Sequence, residues 1–126
     1  MSLLTPFKKA SGLGPTNDGV HHWWMQKLTA VALVPLSLWF AFAVAAHAGD
    51  DYATISAWFA QPFTTTMLTL TAFTTFLHSA QGLQVIIEDY VHHEGAKLAA
   101  LIIMKLALFA LGASSILSIL RVAFTG

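Results

Sequence analysis

The sequence predicts an all-α integral membrane protein in which three transmembrane helices form an up-down-up bundle. Hydrophobic residues make up 56% of the 126 residues and charged residues only 10%, whereas a soluble domain usually carries about 25% charged residues. Three long stretches are almost free of charge, and the connections between them are short and polar. Because short connections make consecutive helices antiparallel neighbours, we expect residues 1–126 to form a single membrane domain.

The first helix is predicted at about residues 22–47, after a polar N-terminal segment at residues 1–20. Proline and glycine recur through that segment and interrupt any helical periodicity. The run Leu28–Ala46 contains 19 uncharged residues, close to the ~20 that span a bilayer core. Cleavage of a signal peptide near His47 is disfavoured, because the apolar run and its polar leader are longer than those of signal sequences.

The second and third helices are predicted at about residues 62–90 and 96–121. The acidic segment Gly49–Asp51 is interpreted as the first loop, and a proline opens the second helix, a position that suits the first helical turn. The segment His92–Gly95 is the second connection. Lys105 is the one charge inside the third helix.

The distribution of basic residues predicts the orientation in the membrane. Lys8, Lys9 and Lys27 lie on the N-terminal side of the first helix, and Lys97 follows the second connection. The loop at residues 49–51 carries only acidic charges. By the positive-inside rule, the N-terminus and the second connection face the cytoplasm and the C-terminus faces the periplasm, in a multi-pass protein of the bacterial inner membrane.

Two classes of function are excluded by composition. The sequence has no cysteine, so the chain supplies neither a disulfide nor thiolates for an iron–sulfur cluster. Its net charge is zero and it has no long basic cluster, so nucleic acid is not an expected partner.

His78 is the strongest chemical signal in the sequence. It lies well inside the second predicted helix, where an ionisable side chain is costly and usually faces protein rather than lipid. A neutral imidazole is a common axial ligand of haem iron, and Gly82, one turn later, leaves room for a flat macrocycle. A histidine that only hydrogen-bonds to a neighbouring helix fits the same pattern. The small or polar stripe around His78 comprises Thr71, Thr75, Gly82, Val85 and Asp89.

The polar residues near the cytoplasmic ends of the helices are less specific. Glu88, Asp89 and Tyr90 close the second helix; they fit a solvated helix end, although two acids there oppose the helix dipole. His21 and His22 fit interfacial anchoring better than a metal site. Lys27 and Lys105 either extend to lipid head groups or meet an anionic group of a ligand.

Two segments resemble the hydrophobic anchor subunit of bacterial succinate dehydrogenases, the smaller of the two membrane partners in those complexes. The first is GVHHWWMQKLTAVALVPL (Gly19–Leu36), which is similar to the family's entry into its first helix. The second is HSAQGLQVIIEDYVHHEG (His78–Gly95), with a histidine, a glycine four residues later and an Asp-Tyr pair ending the helix. The resemblance covers most of the chain.

The resemblance implies a haem b site shared with the larger anchor subunit. His78 would be one axial ligand of the iron, and the larger subunit would supply the other. Gly82 and His21 would lie near the haem. The family often has arginine where this chain has Lys27, and a lysine keeps the charge but loses the planar fork that binds a propionate.

The resemblance also implies a ubiquinone site and two soluble partners. Tyr90 would donate a hydrogen bond to a quinone carbonyl, and Asp89 would support the site electrostatically. A flavoprotein subunit and an iron–sulfur subunit would dock on the cytoplasmic face and carry out succinate oxidation, so this chain would hold no catalytic residue of that step.

Three other functions remain open at the level of sequence. The anchor of a quinol:fumarate reductase would look the same, because the direction of reaction depends on redox potentials. A haem-free structural scaffold would use His78 only for packing. A small transporter is disfavoured, because three helices without a repeat give no inverted-repeat architecture.

Overall fold

The structure is a computed structural model that describes the backbone of residues 15–126 and the side chains from Val20 onward. The described part is helical, with short connections between the helices. The helices are α1 (Pro15–Ala46), α2 (Tyr52–Phe59), α3 (Pro62–Tyr90) and α4 (Glu94–Thr125). Two segments, Val20–Ala46 and Glu94–Thr125, are long and apolar enough to cross a membrane.

Helix α1 begins at Pro15, earlier than the predicted start near residue 22. The prediction treated Pro15 as a breaker, but a proline is compatible with the first turn because its missing N–H has no intrahelical partner there. Residues 15–20, expected to be irregular, are therefore helical. Residues 1–14, with Lys8 and Lys9 of the orientation argument, lie outside the described part.

A short helix that the sequence analysis missed, α2, fills the segment between α1 and α3. Gly49 ends the turn after α1 with a φ of 85°, a conformation that glycine adopts without strain. Asp51 then caps α2, because its side chain accepts a hydrogen bond of 2.9 Å from the Thr54 N–H. The loop is therefore limited to the residues just before this cap.

Helix α3 runs from Pro62 to Tyr90, as the sequence predicted. It is more polar than α1 and α4 because it contains seven threonines, and it is not among the segments apolar enough to count as a span by composition. A helical threonine can return its hydroxyl to the carbonyl four residues earlier. Thr71 does so, with Oγ1 2.7 Å from the Met67 carbonyl oxygen.

Helix α4 is longer at both ends than the predicted 96–121. It begins at Glu94 because the preceding residue, His93, acts as its N-cap: Nδ1 accepts a hydrogen bond of 3.0 Å from the Ala96 N–H. It continues to Thr125. The connection between α3 and α4 is therefore residues 91–93, shorter than the predicted His92–Gly95.

The three long helices lie in a row with α3 in the middle. Helix α3 packs against α1 on one side and α4 on the other, whereas α1 and α4 make no contact within the described residues. Thr29 meets His78 and Trp39 meets Phe63, so α1 and α3 are antiparallel. The antiparallel order of α1 and α3 agrees with the predicted up-down-up arrangement.

Much of the apolar surface of this row is uncovered. Large side chains on the outer faces remain exposed, including Phe42 at 75%, Phe109 at 76% and Phe124 at 77%. Soluble monomers rarely expose contiguous apolar surface on this scale. The uncovered faces are consistent with contact to lipid or to other membrane subunits.

Candidate functional site

The candidate site is built around a contact between α1 and the centre of α3. Thr29 Oγ1 lies 2.9 Å from His78 Nδ1. Thr29 is only 6% exposed, so the imidazole is held by a group that water does not reach. His78 itself is partly buried.

The surroundings of Thr29 indicate which nitrogen of His78 carries the proton. Thr29 Oγ1 also lies 2.9 Å from the Met25 carbonyl oxygen and 3.0 Å from the Gln26 carbonyl oxygen. A threonine hydroxyl has one proton, and in a helix that proton commonly goes to such a carbonyl. Thr29 Oγ1 then accepts the Nδ1–H of His78, which leaves the Nε2 lone pair free.

The face of α3 next to His78 has room for a flat group. A Cβ atom added at Gly82 would meet nothing within 4 Å. By contrast, a Cβ added at Gly112 would lie 3.3 Å from Phe76 Cγ. Gly112 is therefore a glycine of close helix packing, whereas Gly82 borders open space; its place beside a macrocycle stays a prediction.

A polar cleft of about 610 Å³ lies between α1 and α3, toward the C-terminal end of α3. Its lining joins His21 and His22 of α1 to Gln84 and Glu88 of α3. His22 Nε2 is buried and has no hydrogen-bond partner within the described part of the chain. Gln81 connects the cleft to the centre of the site, because its Oε1 lies 3.2 Å from Thr29 Oγ1.

The structure brings some of the predicted site residues together and leaves others apart. His21 lines the cleft, whereas Lys27 lies over the Trp23 ring, 5.7 Å from its centroid. Tyr90, the last residue of α3, is 77% exposed, and Asp89 is exposed beside it. Tyr90 is twelve positions beyond His78, about 18 Å along the helix axis at 1.5 Å per residue.

Four participating residues were missed or placed differently by the sequence analysis: Thr29, Gln81, Glu88 and His22. Thr29 gave no signal, because a threonine in an apolar helix is common and its partner lies on another helix. From the residues alone, the tandem histidines were interpreted as interfacial anchors, and the resemblance placed only His21 near the haem. His93, in turn, is occupied by the cap of α4 and does not enter the site.

Among the side chains that the structure describes, no group of three or more His, Asp or Glu residues is placed to hold a metal ion. An axial pair of haem ligands is a smaller set, so the shared haem site that the resemblance implies stays a prediction.

A family model described as the succinate dehydrogenase/fumarate reductase transmembrane subunit matches residues 1–112. This match covers most of the sequence. The chain belongs to this family. Membership agrees with the two segments that are apolar enough to cross a membrane, and it makes the chain a membrane-bound protein. The resemblance inferred from the sequence is confirmed.

Curated relatives of the family support the same assignment. The succinate dehydrogenase hydrophobic membrane anchor subunit of Paracoccus denitrificans is 31% identical over 121 residues, which cover 96% of this chain and 93% of that protein. The protein of the same name from Rickettsia bellii is 33% identical over 98 residues, 78% of each chain. The succinate dehydrogenase membrane anchor subunit of Reclinomonas americana is 30% identical over 93 residues, 71% of this chain and 78% of that one.

Proposed function

We propose that this chain is the small membrane-anchor subunit of a succinate:ubiquinone oxidoreductase, that it shares a haem b with the larger anchor subunit, and that it forms part of the ubiquinone-reduction site. Family membership and relatives named as succinate dehydrogenase anchors support the first part. Succinate oxidation belongs to the soluble flavoprotein and iron–sulfur subunits, which this chain would hold at the cytoplasmic face of the bacterial inner membrane.

The haem part of the proposal is carried by the Thr29–His78 contact. Histidines that bind metal usually donate their second ring N–H to a fixed acceptor, which sets the tautomer and the orientation of the ring. Thr29 offers such an acceptor 2.9 Å from His78 Nδ1, and Gly82 borders open space one turn away. A bound haem would supply one-electron redox chemistry at this depth of the membrane.

The polar cleft is the proposed location of the haem propionates and of the quinone head group. His21 and His22, whose Nε2 is buried without a partner among the described residues, are donors for propionate or carbonyl oxygens. Lys27 is further from the centre, over Trp23, so we assign it the weaker role of a long-range positive charge. Tyr90 at the helix end donates to a quinone carbonyl, and Asp89 shapes the local field or relays protons.

We further propose that α3 spans the membrane together with α1 and α4, giving three transmembrane helices. Two of its threonines return their hydroxyls to backbone carbonyls, Thr71 to Met67 and Thr65 to Gln61, which lowers the cost of those hydroxyls in an apolar medium. Helix α3 also lies between the two apolar helices, so its polar face is shielded on two sides. The cytoplasmic N-terminus and periplasmic C-terminus follow from the lysine distribution.

A quinol:fumarate reductase anchor is the second candidate, because the matching family description names both enzymes. The relatives described above carry the succinate dehydrogenase name, which favours the first direction of reaction.

The reduced-minus-oxidised visible spectrum of the purified complex tests the haem assignment. The wild-type complex should show a b-type band, and His78→Ala should remove or strongly perturb it while the subunits still assemble. His92→Ala is the matched control, because His92 lies exposed in the connection between α3 and α4. A native spectrum and reduction potential in His78→Ala would contradict the proposal.

A further inference from the structure

A second concave surface lies on the other side of α3, between α3 and α4. This groove has a volume of about 390 Å³. Apart from one lysine, its lining is apolar and partly aromatic. The residues that define it are Phe73, Phe76, Ala80, Lys105, Phe109, Gly112 and Ile116.

Lys105 is the only charged residue of the groove and has no ion-pair partner within the described residues. Lys97, about two turns closer to the N-terminus of α4, does have an ion-pair partner, because its Nζ lies 3.9 Å from Glu94 Oε1. An unpaired cation inside a hydrophobic helix is costly, and such residues generally face an anionic partner or the membrane surface. The groove therefore has a positive end that its own chain does not neutralise.

The position of Lys105 along α4 places it just below the cytoplasmic membrane surface. Lys105 and Arg121 are sixteen positions apart, about 24 Å along the axis. With Arg121 at the periplasmic boundary of a hydrocarbon core ~30 Å thick, the Lys105 backbone lies about 6 Å inside the cytoplasmic boundary. Helical side chains lean toward the N-terminus, and a lysine can extend its ammonium group over this distance.

The length of the groove matches half of the bilayer. Its α4 wall extends from Lys105 to Ile116, eleven positions or about 16 Å. One leaflet of a hydrocarbon core contributes about 15 Å. The groove thus has a positive group where the phosphates of the cytoplasmic leaflet begin and an apolar channel that ends near the bilayer midplane.

The groove also faces away from the side of α3 that carries His78. Residues of a helix are rotated by about 100° each, so Phe76 and His78 differ by roughly 160° around α3. This step rests on the proposed function: the subunit that supplies the second haem ligand must stand on the His78 side, which leaves the groove toward lipid. Exposed aromatic walls, with Phe73 at 57% and Phe109 at 76%, fit that environment.

We propose that the α3–α4 groove binds an acyl chain of an anionic glycerophospholipid of the cytoplasmic leaflet, with the phosphate of that lipid paired to Lys105. The apolar walls hold the chain and the ammonium group selects the negative head group. Bound in this way, the acyl chain lies in the groove beside the close contact of Gly112 with Phe76 and packs against both α3 and α4.

Photo-crosslinking in the intact complex tests this proposal. The complex is placed in phosphatidylcholine nanodiscs that contain a trace of phosphatidylglycerol with a diazirine in its acyl chain. After irradiation, peptide mass spectrometry should locate the label on groove residues such as Phe109 and Ile116. Lys105→Met should lower this labelling about fivefold, the factor expected for loss of one basic residue near anionic lipid, while Lys97→Met and Lys105→Arg should label close to wild type.

Other results would overturn the proposal. Equal labelling of the groove by a phosphatidylcholine probe would show that the groove does not select an anionic head group. This comparison uses only the wild-type complex, so it does not depend on whether a variant assembles. Loss of label in the presence of excess ubiquinone would assign the groove to an isoprenoid tail. Absence of label from the groove would mean that another subunit covers it. The haem spectrum of the same samples tests the role of His78 separately. Failure of the lipid proposal can therefore be distinguished from failure of the haem proposal.

Discussion

Thr29 Oγ1 and His78 Nδ1 lie 2.9 Å apart although 49 positions separate the two residues in the sequence. The contact joins the N-terminal half of α1 to the centre of α3 and holds the imidazole against a buried hydroxyl group. Thr29 has the buried side chain and His78 the accessible one. The chemistry of His78 therefore depends on the identity of a residue on another helix.

Replacement of Thr29 by valine should weaken haem binding without breaking the fold. Valine keeps the shape of threonine and removes the acceptor of the His78 Nδ1–H, and loss of such an outer partner typically lowers metal affinity by about tenfold to a hundredfold. The haem-to-protein ratio during controlled haem extraction measures this loss, and the reduction potential should change with it.

Thr71→Val is the matched control for this experiment. Thr71 is also a threonine near the centre of the structure, but its hydroxyl contacts the carbonyl of Met67 in its own helix. Its removal should leave haem affinity close to that of the wild type, because this hydroxyl contacts no ring nitrogen of His78. Equal losses in both variants would mean that Thr29 acts through general packing.

Tyr90→Phe should lower ubiquinone reduction while haem content stays normal. The change removes only the hydroxyl, so a donor to the quinone carbonyl is lost and the ring is kept. A hydrogen bond exposed to water contributes about 1 kcal/mol, which corresponds to about a fivefold loss of activity, and a bond shielded by the neighbouring subunits contributes more. Succinate oxidation by an artificial acceptor upstream of the quinone should continue.

The chain contains its own control for Tyr90. Tyr52 is the other tyrosine, 61% exposed at the start of α2 and at the opposite end of α3 from Tyr90. Tyr52→Phe should leave quinone reduction unchanged. Wild-type turnover and inhibitor sensitivity in Tyr90→Phe would reduce Tyr90 to an interfacial anchor.

Single cysteines should report the orientation directly, because the chain has no native cysteine. Ala48→Cys lies in the exposed turn after α1, and His92→Cys lies exposed between α3 and α4. On intact cells, an impermeant thiol reagent should modify Ala48→Cys and spare His92→Cys until the membrane is opened. The reverse pattern would invert the orientation and place Lys105 in the other leaflet.

The cap of α2 should weaken in strong acid. Hydrogen bonds from Thr54 to the Asp51 carboxylate hold the pKa of Asp51 below its ordinary value of 3.8. A lowered pKa means that the cap is fully effective above that ordinary value and is lost as the pH falls through the folded-state value. Protection of the Thr54 and Ile55 amides against hydrogen exchange should fall in that range, whereas Asp51→Ser, a cap that does not titrate, should show no such step.

The helices could be predicted from the sequence because local signals mark them. Pro62 and the acidic pair before Tyr90 define α3, and its predicted limits agree with the structure. The predicted helix boundaries were wrong where a residue type is compatible with both a helix end and a connection. Pro15 was interpreted as a breaker although it opens α1, and the connection before Glu94 was drawn too long because a histidine is a rarer cap than serine or aspartate.

Only some residues of the candidate site could be predicted from the sequence, and the reason differs from that for the helices. His78 stands out because an ionisable side chain is rare inside an apolar helix, and Gly82 is noticed because it follows His78 by one turn. Thr29 and the cleft depend on how α1 and α3 register against each other, and no local pattern encodes that register. The α3–α4 groove is likewise formed by two helices, so Lys105 could be noticed in the sequence but not assigned to a partner.

The central position of α3 has a consequence for biosynthesis. Insertion into the bilayer sorts each segment by its apolarity, and α3, with its threonines and terminal acids, is a poorer candidate than the helices that flank it. In the proposed three-span arrangement, the retention of α3 in the bilayer depends on α1 and α4 packing on either side of it. A newly made chain that meets no partner subunit would leave the polar stripe of α3 against lipid, a signal that membrane quality-control proteases can read. The cell would thereby match the amount of this chain to the supply of its partners.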